Sequence, residues 1–432
     1  MRIGRAEPGQ RSETVRRANL SAITRSLHER GPRSRSALVS ATGLTRSAIR
    51  DLVGELTAAG LAAEAPAGPQ GTPGRPSTVV RLIPTSAVVI SIEILVDSIA
   101  AAMVGVGGGV LAMVRVDRAR GHLSPDEVVA DLGRLVEPMR REVGAPLVGV
   151  GAAVAGVVNR PKGVVDLAPN LGWHDVPLAA RLREELALDV PITVANEADA
   201  GVLAEHRRGV AIGIDDVLFV SGEVGVGGGV LSGGMPLTGV AGYGGEIGHL
   251  PVNPGGTPCR CGSIGCWETV VGEGALLALA GHPPDAGRPG VDQVLAAAEG
   301  GSPAAVAALG HVGRWLGIGL GGLVNLLNPS LIVLGGIYGR LLPTVRPELE
   351  SELGRHALPG SRELVRVEAA LLGADAPLLG AAELAFEPLL ADPAAYLQHP
   401  GSSIPLANAA LPLVNESVNP AALAASTMRG PA

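Results

Sequence analysis

The chain has 432 residues, 47% hydrophobic and 17% charged, enough to bury the cores of two or three domains. Aromatic residues make up only 2%, which excludes a surface built to stack on the bases of single-stranded nucleic acid. The net charge of −7 hides an asymmetry: residues 1–82 carry 13 arginines against 6 acids, the remainder 21 basic residues against 35 acidic, so only the first segment is suited to an anionic partner.

From the N-terminus, Val15, Ala18, Ile23 and Leu27 recur at helical spacing, predicting an amphipathic helix over 15–29 that Gly31-Pro32 stops. Ser34 suits the N-cap of a second helix, 35–40. Ala41-Thr42-Gly43-Leu44 makes a tight turn, and Thr45 caps a third helix, 46–59, with Ile49, Leu52, Val53 and Leu56 inward and Gly60 as its stop. Val39, Gly43 and Ile49 fall at the core positions of a helix-turn-helix. Its second helix would present Arg46, Ser47 and Arg50 to base edges of the major groove, where arginine can bind guanine through two hydrogen bonds. The Ala/Pro/Gly-rich stretch that follows, with a strand over 77–83, reads as a wing. Its tip, Arg75, is held extended by Pro76 and suited to a minor groove.

Beyond residue 84 the pattern changes to buried strands alternating with helices, as in an α/β body. A strand pair begins at Ala87, a buried strand runs through 147–158, and strands follow at 192–194, 217–220 and 331–334. The longest uncharged apolar run, Ser98–Val114, is glycine-broken and shorter than the roughly 20 residues of a membrane span. With no apolar leader near Met1, a cytoplasmic protein with reduced thiols is expected, at the nucleoid when bound to DNA. The only cysteines, Cys259, Cys261 and Cys266, lie just after His249. Three thiolates and one imidazole make a closed tetrahedral set, the usual shell of a structural zinc ion, and the odd cysteine count disfavours disulfides. Residues from about 391 onward lack periodicity and read as a mobile tail.

Glu246-Ile247-Gly248-His249, followed by Cys259-Arg260-Cys261-Gly262-Ser263-Ile264-Gly265-Cys266-Trp267-Glu268, resembles the signature of the ROK family of bacterial sugar kinases and sugar-responsive repressors. The resemblance covers roughly 12–390 and includes the DNA-binding domain of ROK repressors over 15–83. It implies that Glu246, His249 and Glu268 point polar atoms at sugar hydroxyls, and that Asn170, in Asn170-Leu171-Gly172-Trp173, does the same. Trp173 is expected only to pack. Kinases of the family carry Asn-Asp where this chain has Asn196-Glu197, and that aspartate deprotonates the attacking sugar hydroxyl. Glutamate reaches one methylene further, which spoils in-line attack but permits a hydrogen bond, so Asn196 and Glu197 are expected to hold ligand without catalysing. The kinases' phosphate hairpin carries Gly-Gly-Thr after an acid; here Glu93 is followed by Leu95, Val96 and Asp97, unsuited to phosphate. The glycine run Gly225–Gly229 is expected to serve chain turns.

The fold expected is α/β: a winged helix-turn-helix over 12–83, then two actin-like (ribonuclease H-like) lobes, 84–200 and 201–390, with a zinc loop in the second. The final helices are candidates to return to the first lobe, ahead of a tail over 391–432. The functional expectation is a sugar-responsive DNA-binding regulator, a homodimer or homotetramer, partnered by operator DNA and a sugar effector. The alternative is an active ATP-dependent sugar kinase with an added DNA-binding domain.

Overall fold

Leu20, Ile23 and Leu27 recur at intervals of three and four, and helix Pro8–Arg30 buries that stripe. The computed structural model describes residues 8–66, 78–121 and 124–398. The stripe differs from the expected one: Val15 and Ala18 are exposed, and the buried face continues through polar Thr24 and His28. Ser34 Oγ accepts from Ala37 N at 3.1 Å and starts helix Arg35–Thr42. Gly43, at a φ of 70°, turns the chain, and Thr45 Oγ1 caps helix Arg46–Ala58 by accepting from Ala48 N at 3.2 Å. Ile49, Leu52, Val53 and Leu56 point into the shared core, as their spacing requires. Strand Thr78–Leu82 pairs antiparallel with Ala62–Pro66 on one side and Arg33–Ser34 on the other. The expected wing tip, Arg75 included, lies outside the described residues.

The body holds two five-stranded sheets built to one plan. In the first, Val88–Ile94 pairs antiparallel with Ser98–Gly105, which pairs antiparallel with Val110–Asp117; on its other side Val88–Ile94 runs parallel to Leu147–Val154, and that strand parallel to Ile192–Asn196. In the second, Val217–Gly222, Val226–Ser232, Met235–Pro236, Leu331–Gly336 and Arg366–Ala369 repeat the same order and polarity. This is the α/β plan of a two-lobed sugar kinase, consistent with actin-like lobes. The central strands are buried over nearly their whole length, with Ser91 and Glu93 the polar residues in strand Val88–Ile94. Among the described residues, no helix is long and apolar enough to cross a membrane.

Helix Ala376–Ala391 leaves the second lobe and packs on strands Val88–Ile94 and Leu147–Val154 and on helix Glu197–Arg208. Glycines set the distance: a Cβ at Gly151 would fall 1.8 Å from Ala381 O, and one at Gly380 1.8 Å from Ala200 O. Residues 393–398 depart from the expected tail, which from 399 onward lies outside the described residues. Helix Pro393–Gln398 buries Ala394 and Tyr396 against the N-terminal helix, because these two side chains supply an apolar contact that the composition of the segment obscures.

Gly380→Val should destabilise the protein by at least the 1–3 kcal/mol typical of overpacking, read as a lower denaturant midpoint. Gly310, inside helix Pro303–Leu327, has open space around its Cβ position, so Gly310→Ala should raise stability by about 0.5–1 kcal/mol.

Candidate sugar and metal site

His249, Cys259, Cys261 and Cys266 converge with their ligating atoms all within 4.8 Å of one another. Pro251 bridges to Cys266 and Pro258 to Ile264, so two short antiparallel contacts hold the loop closed. Cys261 Sγ lies 3.7 Å from Cys266 Sγ, and His249 Nδ1 lies 3.7 Å from Cys259 Sγ. Two thiolates on one tetrahedral ion, each bonded at about 2.3 Å, stand roughly 3.8 Å apart. The donor set and its spacing fit a metal ion. Nδ1 faces the cysteines, so Nε2 is left toward Glu246, whose Oε2 is 4.0 Å away. The Cys259 thiol donates to Glu268 Oε1 at 2.9 Å.

Acidic side chains gather beside this loop. Strand Ile192–Asn196 delivers Asn196, whose Oδ1 accepts from Ala198 N at 2.7 Å and Asp199 N at 3.4 Å, starting helix Glu197–Arg208. Asn196 Nδ2 donates to Gly156 O at 3.0 Å. Its side chain is therefore largely spent on the helix cap, and Asn196 serves mainly to aim Glu197. Glu197 Oε2 and Asp199 Oδ2 are enclosed without a hydrogen-bond partner. Burial, then the charges of Glu246 and Asp199, push the Glu197 carboxyl up to about 8. Burial also pushes Asp199 up to about 7; Arg160 opposes the shift and Glu246 adds to it. Glu246 is raised by burial and by Glu268, against the pull of His249.

Gly225 brings Glu268 and Asn170 together: a Cβ there would stand 3.2 Å from Glu268 Oε2 and 3.7 Å from Asn170 Nδ2. The glycine run does not form turns, as expected of it, but lies largely in strand Val226–Ser232. Bare backbone is needed there, since a Cβ at Gly229 would meet Ala198 O at 2.3 Å and one at Gly227 would meet Glu197 Oε1 at 2.9 Å. Asn170 Oδ1 accepts from Arg260 Nη1 at 2.6 Å. Trp173 is buried in the first lobe's core. The structure thus brings Asn170, Glu197, Glu246, His249 and Glu268 near one another. The sequence reading missed Asp199 and Arg260, although two acids in one helical turn after a capping asparagine were a usable signal for Asp199.

The hairpin at 94–98 is closed on itself. Leu95 N donates to Ser98 O at 2.9 Å, and Leu95 and Val96 are buried. Arg120 joins Asp97 at 2.9 Å to Glu273 of the second lobe at 2.5 Å. Buried Glu93 pairs with Arg115, whose other nitrogen reaches Asp375 at 3.1 Å. Burial pushes Glu93 up to about 7 even beside that guanidinium. Glu223, raised by burial, faces Arg288 at 3.5 Å and feels the charges of Asp97 and Glu273. Five carboxylates and three arginines gather in this region.

Residues 89–387 match the ROK family model. The chain belongs to the ROK family. It is 32% identical over 316 residues to a glucokinase of Streptomyces coelicolor, covering 69% of this chain and 98% of that one. It is 26% identical over 382 residues to the xylose repressor of Bacillus subtilis, covering 87% and 97%. Its fold is similar to that of a ROK family transcriptional regulator, a homolog of the E. coli MLC protein, with a TM-score of 0.72, 25% identity, and coverage of 88% of this chain and 97% of that one. A ROK glucokinase from Streptomyces griseus, in complex with glucose and AMPPNP, superposes with a TM-score of 0.61 at 30% identity over 69% of this chain and 99% of that one. As a ROK protein, the chain combines a kinase-like body with the longer span of the regulators. Far from the cleft, Arg46, Ser47 and Arg50 are exposed at the start of helix Arg46–Ala58; Arg50 Nε meets Asp51 Oδ1 at 2.9 Å, and Ser47 Oγ lies 3.0 Å from Thr45 Oγ1.

Glu197 and Asp199 titrate above their ordinary values of 4.5 and 3.8, so the folded chain keeps protons that the unfolded chain has lost. Stability should therefore fall as pH rises from about 5 to about 8. Glu197→Gln should flatten that fall, read from urea midpoints across the range. Cys261→Ser should release a bound metal, as checked by elemental analysis of the purified protein; stoichiometric metal in the variant would refute the four-ligand assignment.

Proposed function

We propose that the chain is a sugar-responsive transcriptional regulator whose kinase-like body binds a sugar but does not phosphorylate it. The observation that carries this reading is the exposed start of helix Arg46–Ala58, where Arg46, Ser47 and Arg50 face away from the core of the N-terminal segment. We read that segment, the head, as a winged helix-turn-helix, with those residues facing base edges and Arg75 on the wing. Similarity to the Bacillus subtilis xylose repressor extends over 87% of the chain and that to the ROK transcriptional regulator over 88%, against 69% for the Streptomyces glucokinases. The exposed Arg50–Asp51 pair is weak, so DNA can replace it at little cost.

In the body, Asn170, Glu197, Glu246 and Glu268 would accept hydrogen bonds from sugar hydroxyls, and the enclosed Glu197 Oε2 needs such a donor. A structural zinc ion held by His249, Cys259, Cys261 and Cys266 would brace the loop that carries Glu246 and Glu268. It would also leave His249 Nε2–H free as a donor. The sealed 94–98 hairpin and its carboxylates oppose a triphosphate by occupying its space and by repulsion. Domain limits at 12–83, 84–200 and 201–390 belong to this proposal, as does assembly into a dimer or tetramer on a palindromic operator.

A second reading, an active ATP-dependent sugar kinase, draws on the glucokinase similarity and on Glu197 as general base. An ADP-release assay across a panel of hexoses, pentoses and amino sugars separates the two. The regulator should show no turnover, and turnover abolished by Glu197→Gln would establish the kinase. In the same panel, an effector should raise the melting temperature; ligand at 100 times its Kd adds about 2.7 kcal/mol. On an operator selected from random duplexes, Arg50→Ala should lose about 1–3 kcal/mol of specific binding, and unchanged preference over random DNA would remove Arg50 from the reading surface.

A further inference from the structure

One helix connects the sugar cleft to the head. Helix Glu197–Arg208 starts with the cleft acids Glu197 and Asp199 and spans 12 residues, about 18 Å at 1.5 Å per residue. Its residues from Ala198 to Glu205 are buried. A tight backbone approach to Gly380 and another to Gly229 leave it little room to bend. Its last two residues are Arg207 and Arg208, and both grip helix Ala376–Ala391. Arg207 Nη1 pairs with Glu383 Oε2 at 3.0 Å and its Nη2 with Glu387; Arg208 Nε pairs with Glu383 Oε1.

The same two acids hold the N-terminal helix. His28 is buried, and its Nδ1 accepts from Gly107 N at 2.9 Å. The other ring nitrogen, Nε2, lies 3.0 Å from Glu383 Oε2 and 2.8 Å from Arg208 Nη2, so Arg208 also touches His28 directly. Arg25 makes a two-pronged pair with Glu387 at 3.1 and 3.0 Å. Further along, Arg17 meets Asp392 at 2.9 Å and Ser21 Oγ donates to Leu390 O at 2.6 Å. Burial pushes Glu383 up, but the bond with His28 and the charges of Arg208 and Arg207 pull it well below the carboxylate range. Losing that charge would leave two guanidiniums without their shared acid. Such a junction has discrete arrangements and does not deform smoothly.

We propose that helix Glu197–Arg208 is the rod that carries sugar occupancy to the DNA-binding head, with Glu383 as the joint that couples Arg207 and Arg208 to His28 of the N-terminal helix. This rests on the regulator reading above. A sugar that supplies donors to Glu197 and Asp199 fixes one end of the rod. The other end then selects how the N-terminal helix sits against Glu383 and Glu387. Glu383 is a positioning residue and touches neither ligand.

The test uses the full-length protein, its selected operator, and D-xylose and D-glucose as probes. DNA affinity is measured with and without sugar, and sugar affinity is measured separately. Coupling in such systems is typically 5–150-fold. In Glu383→Gln it should drop to within about twofold, while sugar affinity stays within about threefold of the parent. Equal coupling in the parent and the variant overturns the rod alone. If neither sugar alters DNA binding by the parent, the regulator reading fails for these probes and takes the rod with it. Where Glu383→Gln does not fold, the half-exposed Arg25→Gln replaces it, and its coupling should fall at least twofold. Hydrogen exchange on the parent gives a check free of substitutions. Sugar should change exchange in residues 18–30 as well as in the cleft, and a response confined to the cleft refutes the proposal.

Discussion

Two enclosed carboxylate oxygens, Glu197 Oε2 and Asp199 Oδ2, have no donor, and much of the body follows from holding them there. An acid in that state either keeps a proton or waits for a ligand that brings one. Asn196 caps the helix so that both acids leave its first turn on the cleft side. The glycines of strand Val226–Ser232 let that helix approach at backbone distance. The cysteine loop then sets Glu246 and Glu268 opposite. A polar cleft this poor in internal partners suits a ligand bearing many hydroxyls, which can donate to several carboxylates at once.

The elements were legible wherever local chemistry decides them. Ser34 and Thr45 cap the helices expected of them, and the Cys/His loop closes as its spacing demands. What could not be read from the sequence depends on distant partners. Val15 and Ala18 fit the helical period yet stay exposed, because the neighbouring core reaches only as far as Leu20. The glycines at 225–229 look like a loop in sequence; their use as a flat packing surface becomes visible only once Ala198 and Glu197 face them. Asn196 resembles a ligand-holding residue, but its amide is committed to Gly156 and the helix cap. Tyr396 sits in a stretch whose composition suggests disorder, and its burial requires the N-terminal helix, hundreds of residues away.

The same economy explains how one fold can serve two chemistries. The two lobes repeat one strand order, and a kinase body needs backbone amides free at the first hairpin to hold phosphate. Here Leu95 N is spent on Ser98 O, and Arg120 ties Asp97 to the opposite lobe. An ion pair of this kind contributes little to stability by itself, since desolvation offsets much of the attraction. Its effect is on geometry: it ties the 94–98 hairpin to Glu273 of the second lobe.

On the proposed regulator reading, the sugar side of the cleft is the place where lobe spacing responds to ligand. Helix Glu197–Arg208 lies between the sheets and meets helix Ala376–Ala391 at Gly380, so any adjustment passes to the pair of helices that holds the head. On that reading, the half-buried Arg207 and Arg208 at the far end make the response selective. Glu383 gathers His28, Arg207 and Arg208, and an arrangement that satisfies all three donors leaves few alternatives of similar energy. An apolar contact in that position would tolerate sliding. A shared carboxylate does not, and a switch requires that property.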